Sequence, residues 1–249
     1  MRSFDQTHLI VLLITVAFYA VTMFAASKLS RKGQNVLFGV GALLCAGGIF
    51  FRYAMGLEFT ADFDIQTLAV QMLQVCNFNF VLVLLMLVPK FELARQYSIF
   101  FSMFAAATVM LSIPGRFADK SWYHPEFLNF WLNHVFAIGL PLWMLAAGRL
   151  KPQKKYIFPV AACVVVYFFA VYGLTEWLHA TGALAKTTTF SYVYDPTGVG
   201  LLEWMYKLIP VPCFYLIPLI PPMLLFFWGL TVLFKNYKVQ PYGAKRKGR

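Results

Sequence analysis

Apolar residues run along this chain in long blocks, separated by short polar segments rich in lysine and arginine. Crossing the hydrocarbon core takes roughly 20 residues of helix, and blocks of that size fall at 7–26, 35–55, 66–88, 96–113, 127–147, 156–179 and 210–234. The pattern predicts an all-α fold, a polytopic membrane helical bundle of about seven transmembrane helices. One domain spans 1–249, with a basic tail at 235–249. The last block carries Pro210, Pro212, Pro218, Pro221 and Pro222, with Pro221-Pro222 near its middle. Proline removes a backbone donor and clashes with the preceding turn, so this helix is expected to kink or to start late. The first block, Leu9 to Ala26, precedes Lys28, Arg31 and Lys32. A signal peptide carries its positive charge ahead of the apolar stretch, so this block reads as a retained span.

Composition agrees: 60% of the 249 residues are hydrophobic and 12% charged, more apolar surface than one soluble core hides. The net charge of +11 would suit nucleic acid, but its distribution argues against that partner. Lys28, Arg31, Lys32, Lys90, Arg95, Arg149, Lys151, Lys154, Lys155, Lys235, Lys238, Lys245, Arg246, Lys247 and Arg249 all fall on one side of the alternating spans, with Glu92 as that side's acid. Asp5, Glu58, Asp62, Asp64, Asp119, Glu126, Glu176, Asp195 and Glu203 fall on the other. A lysine and arginine bias of this kind marks the cytoplasmic face. The expected topology is N-terminus outside and C-terminus cytoplasmic, multi-pass in the plasma (cytoplasmic) membrane, with membrane lipids as solvent and substrate. The tail from Tyr242 to Arg249 also suits contact with anionic lipid.

Ionisable and polar groups inside an apolar span are costly, so each is a candidate site. The third block holds Gln71, Gln74, Cys76, Asn77 and Asn79. The fifth holds Asn129, Asn133 and His134, followed by Gly139 and Pro141; the sixth ends in Glu176 and His179, and the second in Arg52 and Tyr53. Counting 1.5 Å per residue from the outer boundary puts Cys76 about 15 Å down and His134 about 10 Å down. A thiol and an imidazole at similar depth suit a nucleophile and its base, the thiolate attacking an acyl carbon to give a thioester. Asn77, Asn79 and Asn133 are placed to orient the imidazole or to donate to the developing oxyanion.

Other readings stand beside this one. A buried cysteine usually only packs. Cys45, Cys163 and Cys213 lie in apolar blocks without polar company, and the lack of a CxxC pair predicts neither a disulfide framework nor a zinc knuckle. Glu176, His179 and His134 make a three-ligand metal set on paper, the first two on one helical face. No second Glu-x-x-His supports it, and no metal or cofactor is implied. Glu176 also suits an ion pair with Arg52 or Lys186 at the rim, and His8 and His124 read as interfacial. Gln71, Gln74, Asn77, Asn79, Arg52 and His134 equally suit the pocket of a small-solute transporter, and intramembrane polar groups suit an assembly subunit that binds partner helices.

Three stretches, LQVCNFNFVLVLLML, FLNFWLNHVFAIGLPLWML and FSYVYDPTGVGLLEWMYKLIPVP, carry a family resemblance over residues 66 to 234. They resemble the YwaF-like bacterial integral membrane proteins and their eukaryotic relative, transmembrane protein 164, an acyltransferase acting on phospholipids through a cysteine and a histidine. The resemblance implies that Cys76 matches that cysteine and His134 that histidine. This chain departs from the family's habit at Ser191-Tyr192, where members often have Asn-Tyr, and at Asn77, where the residue is often acidic.

Overall fold

The computed structural model describes residues 3–54, 73–183, 190–194, 196 and 199–239, apart from the side chains at 49–50, 52–54 and 116. The first part of the third block, with Gln71, and the tail from Tyr242 to Arg249 lie outside the described residues. Those described are all-helical, without strands. α1 is Gln6–Lys28, α2 Arg31–Ala54, α3 Val75–Leu85, α4 Glu92–Tyr97, α5 Met103–Leu111, α6 Pro125–Ala146, α7 Ile157–Ala180, α8 Gly200–Leu208 and α9 Ile220–Leu233. Among the described residues, four helical stretches are long and apolar enough to cross a membrane: Gln6–Lys28, Pro125–Ala146, Lys154–Ala180 and Phe214–Leu233.

These four are not equivalent. In α6 the apolar window is 78% buried inside the protein, against 11% for α1, so α6 is the central post and α1 faces outward. Helices α1, α2, α3 and α5 all pack on α6. α1 is apolar almost all round, yet its few polar residues share a stripe. His8 Nε2 donates to the Met110 carbonyl at 2.8 Å, and Thr15 Oγ1 accepts from Trp131 Nε1 at 2.9 Å. Tyr19 donates to the Val135 carbonyl at 3.1 Å, and Thr22 accepts from Trp143 Nε1 at 2.7 Å. Positions 8, 15, 19 and 22 lie on one face of a 3.6-residue helix. Where lipid offers no hydrogen bonds, that face turns to the protein. His8 is therefore buried rather than interfacial. Its Nδ1 accepts from the Phe4 amide at 2.7 Å, which fixes the Nε2–H tautomer. His124 caps α6, its Nδ1 accepting from the Glu126 amide at 3.3 Å.

The basic segments meet at one end of the bundle. Arg95 donates to the Arg149 carbonyl, Arg149 reaches Gln34 at 3.2 Å and Asn35 at 2.9 Å, and Lys151 donates to the Lys235 carbonyl at 2.7 Å. Glu92 sits among them, bonded to Arg95 at 2.8 Å and to Gln96 and Gln153 at 2.7 Å each. The proline-rich last block resolves as a late start. A 3-10 turn covers Phe214–Leu219 and the α-helix begins at Ile220. Pro221 and Pro222 thus fall in the first turn, where a missing N–H costs nothing, and not in mid-helix.

Close approach of α2 to α6 depends on Gly41. A Cβ there would lie 2.6 Å from Trp143 Cζ3 and 3.1 Å from Leu140 Cδ2, whereas Gly39 has open space. Gly41→Ala is expected to destabilise by about 1–3 kcal/mol through overpacking. Gly39→Ala should be neutral or slightly stabilising, as for a helix position with room for a methyl group. Thermal unfolding of the two variants in detergent checks the contrast.

Candidate functional site

The third block was expected to carry Cys76 in mid-helix; instead α3 begins at Val75, with Gln74 extended as its N-cap. A distant loop imposes this break. Ser191 Oγ accepts the Val75 amide at 2.8 Å and donates to the Leu73 carbonyl at 2.5 Å, while the Ser191 amide donates to Gln74 Oε1 at 2.9 Å. Ser191 and Tyr192 both have positive φ, 49° and 57°, which costs a non-glycine residue roughly 1–2 kcal/mol. The clamp, the bond from Tyr215 to the Tyr192 carbonyl and that from the Cys213 amide to the Val193 carbonyl at 2.5 Å hold the turn. Cys76 therefore sits in the first turn of a helix, at the positive end of its dipole.

The central helix supplies the other half. Asn133 Nδ2 donates to the Cys76 carbonyl at 3.1 Å, and its Oδ1 accepts from the Cys45 thiol at 3.6 Å. One carboxamide thereby ties α2, α3 and α6 together. The next residue is His134, 3% exposed. Its Nδ1 lies 2.6 Å from the Phe130 carbonyl. A carbonyl only accepts, so Nδ1 is the donor, and in the neutral imidazole the lone pair is on Nε2.

Cys76 and His134 line the same small cavity, about 30 Å³, with Asn79, Tyr97, Ser102 and apolar residues of α5. A water needs some 10–15 Å³ of such space, so the cavity takes a water or a carbonyl oxygen and little more. A second cavity of about 160 Å³ adjoins it; Val75, Phe101, Ala105 and Val109 line both. The larger cavity is almost wholly apolar. It runs between Val109 of α5, Phe168 of α7 and Met223 of α9, roofed by Tyr192 and Leu202 of the loop and α8.

The remaining candidates separate. Asn77 is buried and its Oδ1 faces the Cys76 thiol at 3.9 Å, and Asn79 lines the cavity. Gln74 is committed to the Ser191 loop, and the Arg52 side chain lies outside the described residues. Glu176 is exposed at the end of α7 and accepts from Tyr194. The Tyr194 phenol, pushed up from its usual range by burial and then by that carboxylate, also packs against the His179 ring at 5.6 Å between centroids. Glu176 and His179 thus gather at a rim, apart from the cavity that His134 lines. Among the described residues no three metal-ligating side chains come together, so the set of Glu176, His179 and His134 is not formed. Reading the polar pattern missed Tyr97 and Ser102, both in the fourth apolar block. The signal was present as hydroxyls in a span, but serine in a helix usually bonds the carbonyl four residues back, as Ser98 does to Ala94 at 2.9 Å.

Fold and cavity together define an α-helical membrane protein in which Cys76 and His134 line one small cavity. The family model described as TMEM164 family matches residues 3–232, and the chain belongs to that family. No curated protein and no solved structure matches it.

Ser191→Ala should free the Val75 amide and lower stability by about 1 kcal/mol, the usual worth of an N-cap. Ser191→Asn keeps an acceptor and tolerates positive φ, so its thermal midpoint should stay near wild type.

Proposed function

We propose that this protein is an integral membrane acyltransferase or transacylase acting on a lipid, with Cys76 as nucleophile and His134 as base. The observation that carries the reading is their shared cavity, which has the walls Val75, Phe101, Ala105 and Val109 in common with an apolar chamber suited to an acyl chain. The positive end of α3 favours negative charge on the Cys76 sulfur. Asn133 positions that residue by its carbonyl, one position from the base. The family resemblance points the same way.

The chemistry balances without a cofactor. As the Cys76 sulfur bonds the ester carbonyl carbon, its proton passes to His134 Nε2. The tetrahedral adduct collapses, the bond from carbon to the lipid oxygen breaks, and the imidazolium returns the proton to that leaving oxygen. An acyl thioester remains on Cys76. The hydroxyl of a second lipid then loses its proton to His134 and attacks the thioester, and the sulfur leaves and regains a proton.

The accompanying topology is seven spans in the plasma membrane, N-terminus outside and C-terminus cytoplasmic. The convergence of basic segments at one end supports it. The Ser191 loop and α8 then roof the apolar chamber from the outer side, where a lipid of the outer half of the bilayer would enter. A solute-carrier reading draws less support, because the cavity at Cys76 and His134 is small and Gln74 and Asn133 are committed to other groups.

The test is a chloroacetamide probe on the purified protein in lipid vesicles, with the labelled cysteine located by peptide mass spectrometry, alongside transfer of a fluorescent acyl chain between phospholipids. Cys76 should label ahead of Cys45, Cys163 and Cys213, and the preference should vanish in His134→Ala. Transfer should fall at least about 1000-fold in Cys76→Ala, in line with loss of a nucleophile. Full transfer in Cys76→Ala overturns the reading.

A further inference from the structure

The fourth apolar block folds as one run, Glu92–Leu111, whose middle turn at Ser98–Ser102 is a π-helix. Such turns are rare and frequent at functional sites. In an α-helix, residues five apart sit about 140° apart around the axis. A turn closed by bonds to the fifth residue brings them close to one face. Tyr97 and Ser102 are five apart across this turn, and both line the cavity that holds Cys76 and His134. Tyr97 is 7% exposed and Ser102 3%. Both hydroxyls lack a hydrogen-bond partner among the described residues. A buried donor left unpaired costs stability, so two of them on residues that line one small cavity mark a place suited to an acceptor that arrives with the substrate.

We infer that Tyr97 and Ser102 donate to the carbonyl oxygen of the acyl group, and hold its charge as the tetrahedral adduct forms. The inference rests on the acyl-transfer reading above. When the Cys76 sulfur bonds the carbonyl carbon, the C=O π pair moves onto oxygen. The two hydroxyls donate to that oxygen and keep their protons. On collapse the pair returns, and the leaving oxygen takes its proton from His134. Neutral donors fixed beforehand in a low-dielectric site stabilise such charge strongly. Of the amides that the sequence put forward for this role, Asn133 is spent on the Cys76 carbonyl and Cys45 and Asn77 has its acceptor oxygen toward the thiol, while Asn79 lines the same cavity beside the two hydroxyl residues. With the carbonyl in the small cavity, the acyl chain continues past Phe101 and Val109 into the apolar chamber. The ligand class is thus a long-chain carboxylic ester.

The experiment uses the full chain in phosphatidylcholine vesicles, with methylumbelliferyl palmitate as acyl donor and fluorophore release as the rate. Chloroacetamide alkylation of Cys76 is measured in parallel, since that displacement forms no oxyanion. Tyr97→Phe and Ser102→Ala should each lower kcat about 100-fold, with KM and the alkylation rate within about twofold of wild type. Both variants should keep or raise the thermal midpoint, and Ser102→Thr should retain most of the rate. If kcat stays near wild type in both while Cys76→Ala is inactive, acyl transfer stands and these donors do not. A fall in thermal midpoint and alkylation that parallels kcat means a structural role and also overturns the inference. If the wild-type protein releases no fluorophore in a Cys76-dependent way, the acyl-transfer reading fails and takes this one with it.

Discussion

The carboxamide of Asn133 is the interaction on which the interior depends. Lipid offers no hydrogen bonds, so helices in it are joined by the few polar groups they bring and by the closeness of their packing. Asn133 lies on the most buried helix, holds the backbone of α3 at Cys76 and the thiol of α2 at Cys45, and is followed by His134. Structural tie and candidate base are neighbours in sequence, so whatever fixes α6 against α3 also fixes the base relative to the thiol.

Around this tie the helices divide their duties. α1 covers α6 with a single polar stripe and gives the rest of its surface to lipid, as its exposed Leu13, Ile14, Val21 and Phe24 show. α2 supplies the close approach at Gly41. The segment from α4 to α5 is wound differently in its middle and brings Tyr97 and Ser102 to the cavity. α7 and α9 stand off from the centre and leave the apolar chamber between them. That chamber is closed above by a loop held in left-handed backbone at Ser191 and Tyr192. The strain is local, and its anchor is the N-terminus of the helix that carries Cys76, which makes the roof of the chamber and the placement of the thiol one mechanical unit.

Stability and chemistry pull in opposite directions at the cavity. Buried hydroxyls without partners, a histidine in the core and an empty space each cost folding free energy. At the basic end Glu92 accepts from Gln96 and Gln153, and Asp5 caps α1, its carboxylate accepting the His8 amide at 2.7 Å. Of the three buried side-chain donors without a partner among the described residues, the hydroxyls of Tyr97 and Ser102 belong to residues of this cavity and Arg95 Nε lies at the basic end.

The helical fold and its membrane setting were legible in the sequence, because apolar length and the depletion of charge are one-dimensional quantities. So were Cys76 and His134 as residues of interest, since a polar side chain in an apolar block stands out without any knowledge of its neighbours. The face that α1 buries follows a polar stripe, His8, Thr15, Tyr19 and Thr22, but the sequence reading placed His8 at the interface and did not find it. Tertiary structure alone decided the rest. The break that puts Cys76 in a first helical turn is imposed by Ser191, more than a hundred residues away. The roles of Gln74, Asn133 and Glu176 followed from which partner each could reach. Tyr97 and Ser102 share a face because one turn is wound wider than an α-helix, and no period in the local sequence announces that. Spans are set by transfer of residues into lipid, one at a time; a site is set by distances between chains of atoms, which only packing fixes.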